Sequence, residues 1–145
     1  MPLPFTALLK FIGETFDRSA SVPAPPFQTP SETGSYGERV AASFLRRQGY
    51  RILHRNFLTR EGEIDLVCRD GEVLAFVEVR SRASADFGRP AETVTPAKEK
   101  ALRQAAARYL ELLDRTDVYY RFDVVEVMLV TGQVPRCELH QDWFS

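Results

Sequence analysis

The dipeptide Asp70-Gly71 lies between two β-prone runs, Ile64–Cys68 and Val73–Val79, and no other short feature of the chain restricts its fold as strongly. Such a pair predicts a type I′ hairpin, whose two central residues both need positive φ. With Asp70 and Gly71 as the turn, Arg69 faces Glu72, Val67 faces Leu74, Asp65 faces Phe76 and Glu63 faces Glu78. Ile64, Leu66, Cys68, Val73, Ala75, Val77 and Val79 then share an apolar face that requires a helix or core above it. The other face carries Val67, Leu74 and Phe76 in its middle. Glu63, Asp65, Glu78 and Arg80 gather at its end farthest from the turn.

In this register Asp65 and Glu78 are diagonal cross-strand neighbours, about 7–8 Å apart at the backbone. Like charges so close need compensation. A divalent cation is one solution, since Mg²⁺ is held by one or two carboxylates together with water and phosphate oxygens. Ion pairing with Arg80 and Arg82 at a solvated strand end is the other, and spacing alone leaves both open. The spacing Glu78-x-Arg80 keeps acid and cation on one strand face. Two carboxylates on adjacent strands with such a cation suit metal-assisted attack of water on a phosphodiester.

Elsewhere the chain supplies what such a sheet needs. Leu3–Phe16 has the apolar spacing of a short amphipathic helix, followed from Ser19 to Pro30 by an extended linker with prolines at 23, 25, 26 and 30. This appendage can dock on its own core, on a second copy or on a partner. Ser35 is expected to open a helix running to about Gln48, with Val40, Ala41, Phe44 and Leu45 facing inward and Gly49 as the stop. Ser35-x-x-Glu38 fits a capping box, and the alternative places Glu38 at the acidic end of the hairpin. Tyr50–Phe57 reads as a first strand, with Ile52 and either Leu53 or His54 inward. The polar stretch from Ala83 to Val94 is either a substrate-facing loop or plain connection. Thr95-Pro96 starts a second helix to about Asp114, burying Ala101, Leu102, Ala105, Ala106, Tyr109, Leu112 and Leu113. Val118–Val130 has the apolar content of a central strand buried on both faces, and Val134–Leu139 that of an edge strand.

A helix between two strands of this length makes a parallel crossover, so the expected fold is α/β, three layers, with a mixed central sheet flanked by helices. The 145 residues divide into an appendage, 1–30, and a domain, 31–145. A net charge of −1 argues against non-specific coating of nucleic acid, though not against a local basic patch. Two cysteines, Cys68 and Cys137, are too few for a structural zinc site. No apolar run approaches the roughly 18–20 residues of a membrane span, and no basic region precedes the first apolar stretch. A cytoplasmic protein without a membrane partner is expected.

GSYGERVAASFL, GYRILHRNF, GEIDLVCRDGEVLAFVEVRSR, VTPAKEKALRQAAARYL and RFDVVEV, in this order, resemble successive blocks of the YraN-like proteins, a bacterial family related to restriction-endonuclease-like nucleases and Holliday-junction resolvases. The resemblance covers Gly34 to about Val127. It implies a restriction-endonuclease-like fold and Mg²⁺ or Mn²⁺ held by Asp65, Glu78 and the carbonyl of Val79, with Glu38 assisting. The motif's usual lysine is replaced by Arg80, which stays protonated and so can stabilise phosphoryl charge but not act as a base. Lys98 is then the candidate compact cation. The functions to be weighed are a metal-dependent nuclease on branched or structured DNA, a non-catalytic nucleic-acid-binding module, and an interaction protein using residues 1–30; a homodimer is compatible with each.

Overall fold

The computed structural model describes residues 17–82, 94–115 and 117–144. The expected N-terminal helix and most of the 83–94 stretch lie outside them. Two helices, α1 (Pro30–Arg47) and α2 (Pro96–Leu113), flank one sheet of β1 (Arg51–Leu58), β2 (Glu63–Asp70), β3 (Val73–Arg82), β4 (Tyr119–Met128) and β5 (Arg136–Phe144). The strands follow sequence order, with β3 and β4 parallel and the other neighbours antiparallel, so α2 makes the crossover. The protein is a three-layer α/β structure with a mixed sheet, as the alternation of elements implies.

Each face of the sheet has its own core. Val40, Ala41 and Leu45 of α1 pack with Ile52, Leu66, Cys68, Ala75, Val77, Val125 and Val127. Leu102, Ala105, Ala106 and Tyr109 of α2 pack with Leu53, Val67, Leu74, Phe76, Phe122 and Val124. Ile52 and Leu53, adjacent on β1, point to opposite faces and are both buried because each face of the sheet carries a core; the strand bulges between Ile52 and His54. Leu112, expected inside, is 75% exposed; Leu110 packs on the core in its place, beside Leu113 as expected.

Helix ends explain two further departures. Helix α1 begins at Pro30 rather than near Ser35, because Thr29 caps it: its hydroxyl accepts from Glu32 N at 3.1 Å while Glu32 Oε2 accepts from Gln28 N at 2.8 Å. Glu38 is thus two turns inside the helix and has no capping role. Residues 17–29 lie against this helix: Ser43 donates to the Asp17 carbonyl at 2.7 Å, and Ala24, 3% exposed, exchanges backbone hydrogen bonds of 2.8 Å with Gly132 and Gln133. Helix α2 follows its sequence signals, with Thr95 as N-cap and Asp114 closing it in the left-handed region at φ 50°.

The hairpin is in a different register from the one expected. Gly71 and Glu72 form the turn, Asp70 pairs with Val73, and Val67 faces Phe76 rather than Leu74. Gly71 carries the positive φ, +59°, and Asp70 does not, the Gly-first pattern of a type II′ turn. Asp70 stays in the ladder, where its carboxylate takes Arg121 Nη2 at 2.7 Å. That contact belongs to a buried network: Asp123 accepts from Tyr50 at 2.9 Å and from Arg121 Nε at 2.9 Å, and Gln141 donates to the Tyr50 hydroxyl at 2.7 Å. Burial, helped by Asp123 and opposed by Gln141 and Arg121, raises the Tyr50 pKa to about 12, so the phenol remains a donor. The network ties β2, β4 and β5 to the start of β1 at the turn end of the hairpin.

Candidate metal and phosphodiester site

The changed register matters at the other end. The β2–β3 pairing runs to Leu66↔Val77, a register that, continued by one step, would set Asp65 opposite Glu78 rather than diagonal to it. Regular pairing stops there. Leu66 packs on the α1 side and Ile64 on the α2 side, whereas residues two apart in a regular strand share a face. Across on β1, Arg55 pairs with Leu66 and Phe57 with Ile64, so Asn56 stands at the position facing Asp65. Asn56 has φ +52°, a left-handed conformation that asparagine tolerates better than most side chains. Both strands therefore change sides at the Asn56/Asp65 step, and Ile64 leaves the face on which alternation had placed it.

The distortion frees side chains to converge. Asp65 turns its carboxylate along the sheet, where Oδ2 accepts from the Val79 backbone N–H at 2.8 Å. Asn56, its amide nitrogen toward the acids, donates to Glu38 Oε2 at 3.0 Å and Glu63 Oε1 at 3.1 Å. Glu38 arrives from the α1 layer. Its approach depends on Gly37, where an added Cβ would overlap the Ser81 hydroxyl and lie 2.9 Å from Ser81 Cβ. From the α2 layer comes Lys98, its Nζ 3.4 Å from Glu78 Oε1. Gly62 helps set this side, since a Cβ there would sit 3.0 Å from Ala101 Cβ.

The electrostatics of this cluster are those of acids short of positive charge. Burial, then the charge of Glu78, pushes the Asp65 pKa up to about 7 against the lowering effect of the Val79 N–H. Burial and the charges of Glu63 and Glu78 also raise Glu38. The Glu78 side chain is 13% exposed, and its Oε2 is buried without a hydrogen-bond partner among the described residues. A carboxylate oxygen so placed costs free energy unless a cation meets it. Mg²⁺ or Mn²⁺ fits this donor set, which consists of hard oxygens, one of them orphaned.

The residues singled out in the sequence thus have definite places. Glu38, Asp65 and Glu78 are brought into one electrostatic cluster, with Lys98 against Glu78. Val79 enters through its N–H, which holds Asp65. Arg80 follows Glu78 on β3 and pairs in register with Glu126 of β4. Arg82 does not neutralise these acids; its guanidinium lies 3.4 Å from Glu126 Oε1. Glu63 belongs to the acidic end that the hairpin predicts, without an assigned role, and Asn56 is an addition that the sequence reading missed. An asparagine inside an otherwise β-prone run was the available signal for Asn56.

The protein is thus a three-layer α/β structure in which carboxylates from two strands and one helix approach a lysine from the other helix. The family model for uncharacterised protein family UPF0102 matches residues 37–127, and the chain belongs to that family. A UPF0102 protein of Syntrophomonas wolfei is 47% identical over 102 residues, covering 70% of this chain and 89% of the relative. One of Symbiobacterium thermophilum is 47% identical over 111 residues, 77% of this chain and 94% of the relative. One of Anaeromyxobacter dehalogenans is 50% identical over 105 residues, 72% and 78%. No helix among the described residues is long and apolar enough to cross a membrane.

Proposed function

We propose that the protein is a Mg²⁺- or Mn²⁺-dependent phosphodiesterase acting in the cytoplasm on branched or otherwise structured DNA. The observation that carries this reading is the orphaned, buried Glu78 Oε2 beside an Asp65 carboxyl raised to about 7. Asp65 and Glu78 would hold the ion, with Glu38 and the Val79 carbonyl completing the set. The bound ion would polarise a phosphate oxygen and acidify a water near it. The chain's own groups divide the remaining work. The Val79 N–H fixes the Asp65 carboxylate. Asn56 holds Glu38 and Glu63 in place while neutralising neither. The Lys98 ammonium, half exposed, lies where a phosphate approaching Glu78 would meet it. Arg80, always protonated, contributes charge stabilisation and no proton transfer.

Binding of the DNA backbone is supported beside the acids. Arg55, Arg46 and Arg39 lie close enough that burial and the two neighbouring guanidiniums lower the Arg55 pKa, and Arg55 in turn lowers that of Glu38. A local basic flank of this kind binds phosphates without a basic protein overall. The test is incubation of purified protein with labelled junction and flap DNA and Mn²⁺. Nicking that disappears in Glu78→Ala is expected; nicking that survives the substitution overturns the site. A second reading, a binding module without catalysis, is favoured by the Lys98–Glu78 ion pair and the absent motif lysine. Salt-dependent DNA binding without cleavage in any metal would select it.

A further inference from the structure

The same sheet face carries a second group of metal-ligating side chains that the proposed site does not use. Glu126 of β4 and Glu138 and His140 of β5 bring one ligand atom each to within 4.8 Å of one another. Their convergence follows from the register: Glu126 faces Glu138, and Val124 faces His140, so all three project to the α2 side. His140 Nε2 lies 3.4 Å from Glu126 Oε2 and 3.9 Å from Glu138 Oε1.

Glu126 supplies the independent observation. It is 3% exposed, and Oε1 takes no hydrogen bond among the described residues. Arg82 Nη2 approaches that oxygen to 3.4 Å outside hydrogen-bond geometry. Arg82 and His140 each meet this buried carboxylate at 3.4 Å, longer than the roughly 2.7–2.9 Å of a charge-assisted hydrogen bond. The His140–Glu126 separation of 3.4 Å suits two ligands of a common ion, since donors about 2.0–2.1 Å from a tetrahedral centre stand about 3.3–3.4 Å apart; Arg82, a cation, is no ligand.

We propose that Glu126, Glu138 and His140 form a second cation site, for a divalent transition metal of the Zn²⁺ class. The imidazole selects this class over Mg²⁺, whose ligands are oxygens. Access is through Glu138, whose side chain is 53% exposed, while the buried Glu126 forms the floor. The site is separate from that at Asp65 and Glu78. Glu78 is in register with Val124, and Arg80 with Glu126. Ladder spacings therefore put the Glu78 and Glu126 backbones about 8 Å apart, and the guanidinium-bearing Arg80 position follows Glu78 on the same face. The two groups share no ligand residue, and the second has no part in the phosphodiester chemistry proposed for the first. An ion here would instead fasten edge strand β5 to β4.

Calorimetric titration of the full-length Glu78→Gln protein with Zn²⁺ tests the site without the first one contributing, and a Mg²⁺ titration controls for class. One Zn²⁺ should bind, without a matching Mg²⁺ signal. Adding His140→Gln should weaken Zn²⁺ at least about tenfold, the lower end of the effect seen when even groups supporting a metal's ligands are lost. Glu138→Gln, at a half-exposed position, should weaken it as well and guards against misfolding of the histidine variant. Folded Glu78→Gln protein that binds no Zn²⁺, or Zn²⁺ binding unchanged by both substitutions, overturns the proposal. Loss of DNA nicking in Glu78→Ala bears only on the first site, so the two readings fail separately.

Discussion

Asp65 concentrates the tension in the candidate site. Its carboxyl is raised to about 7 by burial and by Glu78, while in the unfolded chain it titrates near the ordinary value of 3.8. Between those two values the folded state holds the proton and the unfolded state does not, so the contribution of Asp65 to stability falls as pH rises from about 4 to about 7. A bound cation removes this cost by favouring the ionised form. Asp65→Asn removes the charge and keeps a carbonyl oxygen able to accept from the Val79 N–H. It should raise the metal-free melting temperature at pH 8, flatten its decline between pH 4 and 7, and abolish Mg²⁺ binding. Melting curves across that range, with and without Mg²⁺, check all three; unchanged Mg²⁺ stabilisation in the variant would remove Asp65 from the site. A substitution that stabilises while disabling is the mark of a residue kept for function.

At the scale of elements, the site depends on how closely α1 lies on β3. Gly37 permits that approach, and Glu38 is the next residue. Gly37→Ala would press a methyl into Ser81, whose hydroxyl can rotate away but whose Cβ, at 2.9 Å, cannot. The helix must shift, at about 1–3 kcal/mol, the usual cost of overpacking. The expected result is that loss of stability in urea together with a weakened Mg²⁺ response, whereas Gly34→Ala, on the same helix with nothing within 4 Å, should leave the Mg²⁺ response unchanged. The elements themselves were largely legible, because Thr95-Pro96, the alternating hairpin strands and the apolar run of β4 each obey one local rule. What failed were the places where two local signals competed. Ser35-x-x-Glu38 is a valid capping pattern, yet Thr29-Pro30-x-Glu32 is another six residues earlier and has the proline at the first helical position. Asp70-Gly71 is a valid turn, yet Arg121, 51 residues away in sequence, keeps Asp70 in the strand. The acids were legible as a group because alternation survives a register shift of two; the side-change at Asn56 and Asp65 was not, since it needs both strands together.

For the whole molecule, composition placed the division between appendage and domain at 30, where prolines are dense, but burial and hydrogen bonding extend the packed body back to residue 17. Arg39 pairs with Asp17 at 3.2 Å, Ser43 bonds its carbonyl, and Ala24 is bracketed by Gly132 and Gln133 of the β4–β5 connection. Proline content reports that a segment is not helical or central in a sheet; it does not report whether the segment is free. A fragment beginning at residue 30 loses these contacts and also Thr29, the cap of α1. Two backbone hydrogen bonds at about 0.5–1.5 kcal/mol each and one N-cap at about 1 kcal/mol sum to a loss of about 2–4 kcal/mol relative to a fragment beginning at residue 17. For a domain of this size that corresponds to a melting temperature lower by roughly 5–15 °C. Differential scanning calorimetry of fragments 17–145 and 30–145 measures it directly, and equal melting temperatures would show that residues 17–29 merely rest on the surface. The comparison also decides how a role of the N-terminal segment in partner capture must be tested: a deletion ending at residue 30 would unsettle α1 and Glu38 with it, whereas one ending at residue 16 keeps Thr29 and Asp17 in the chain.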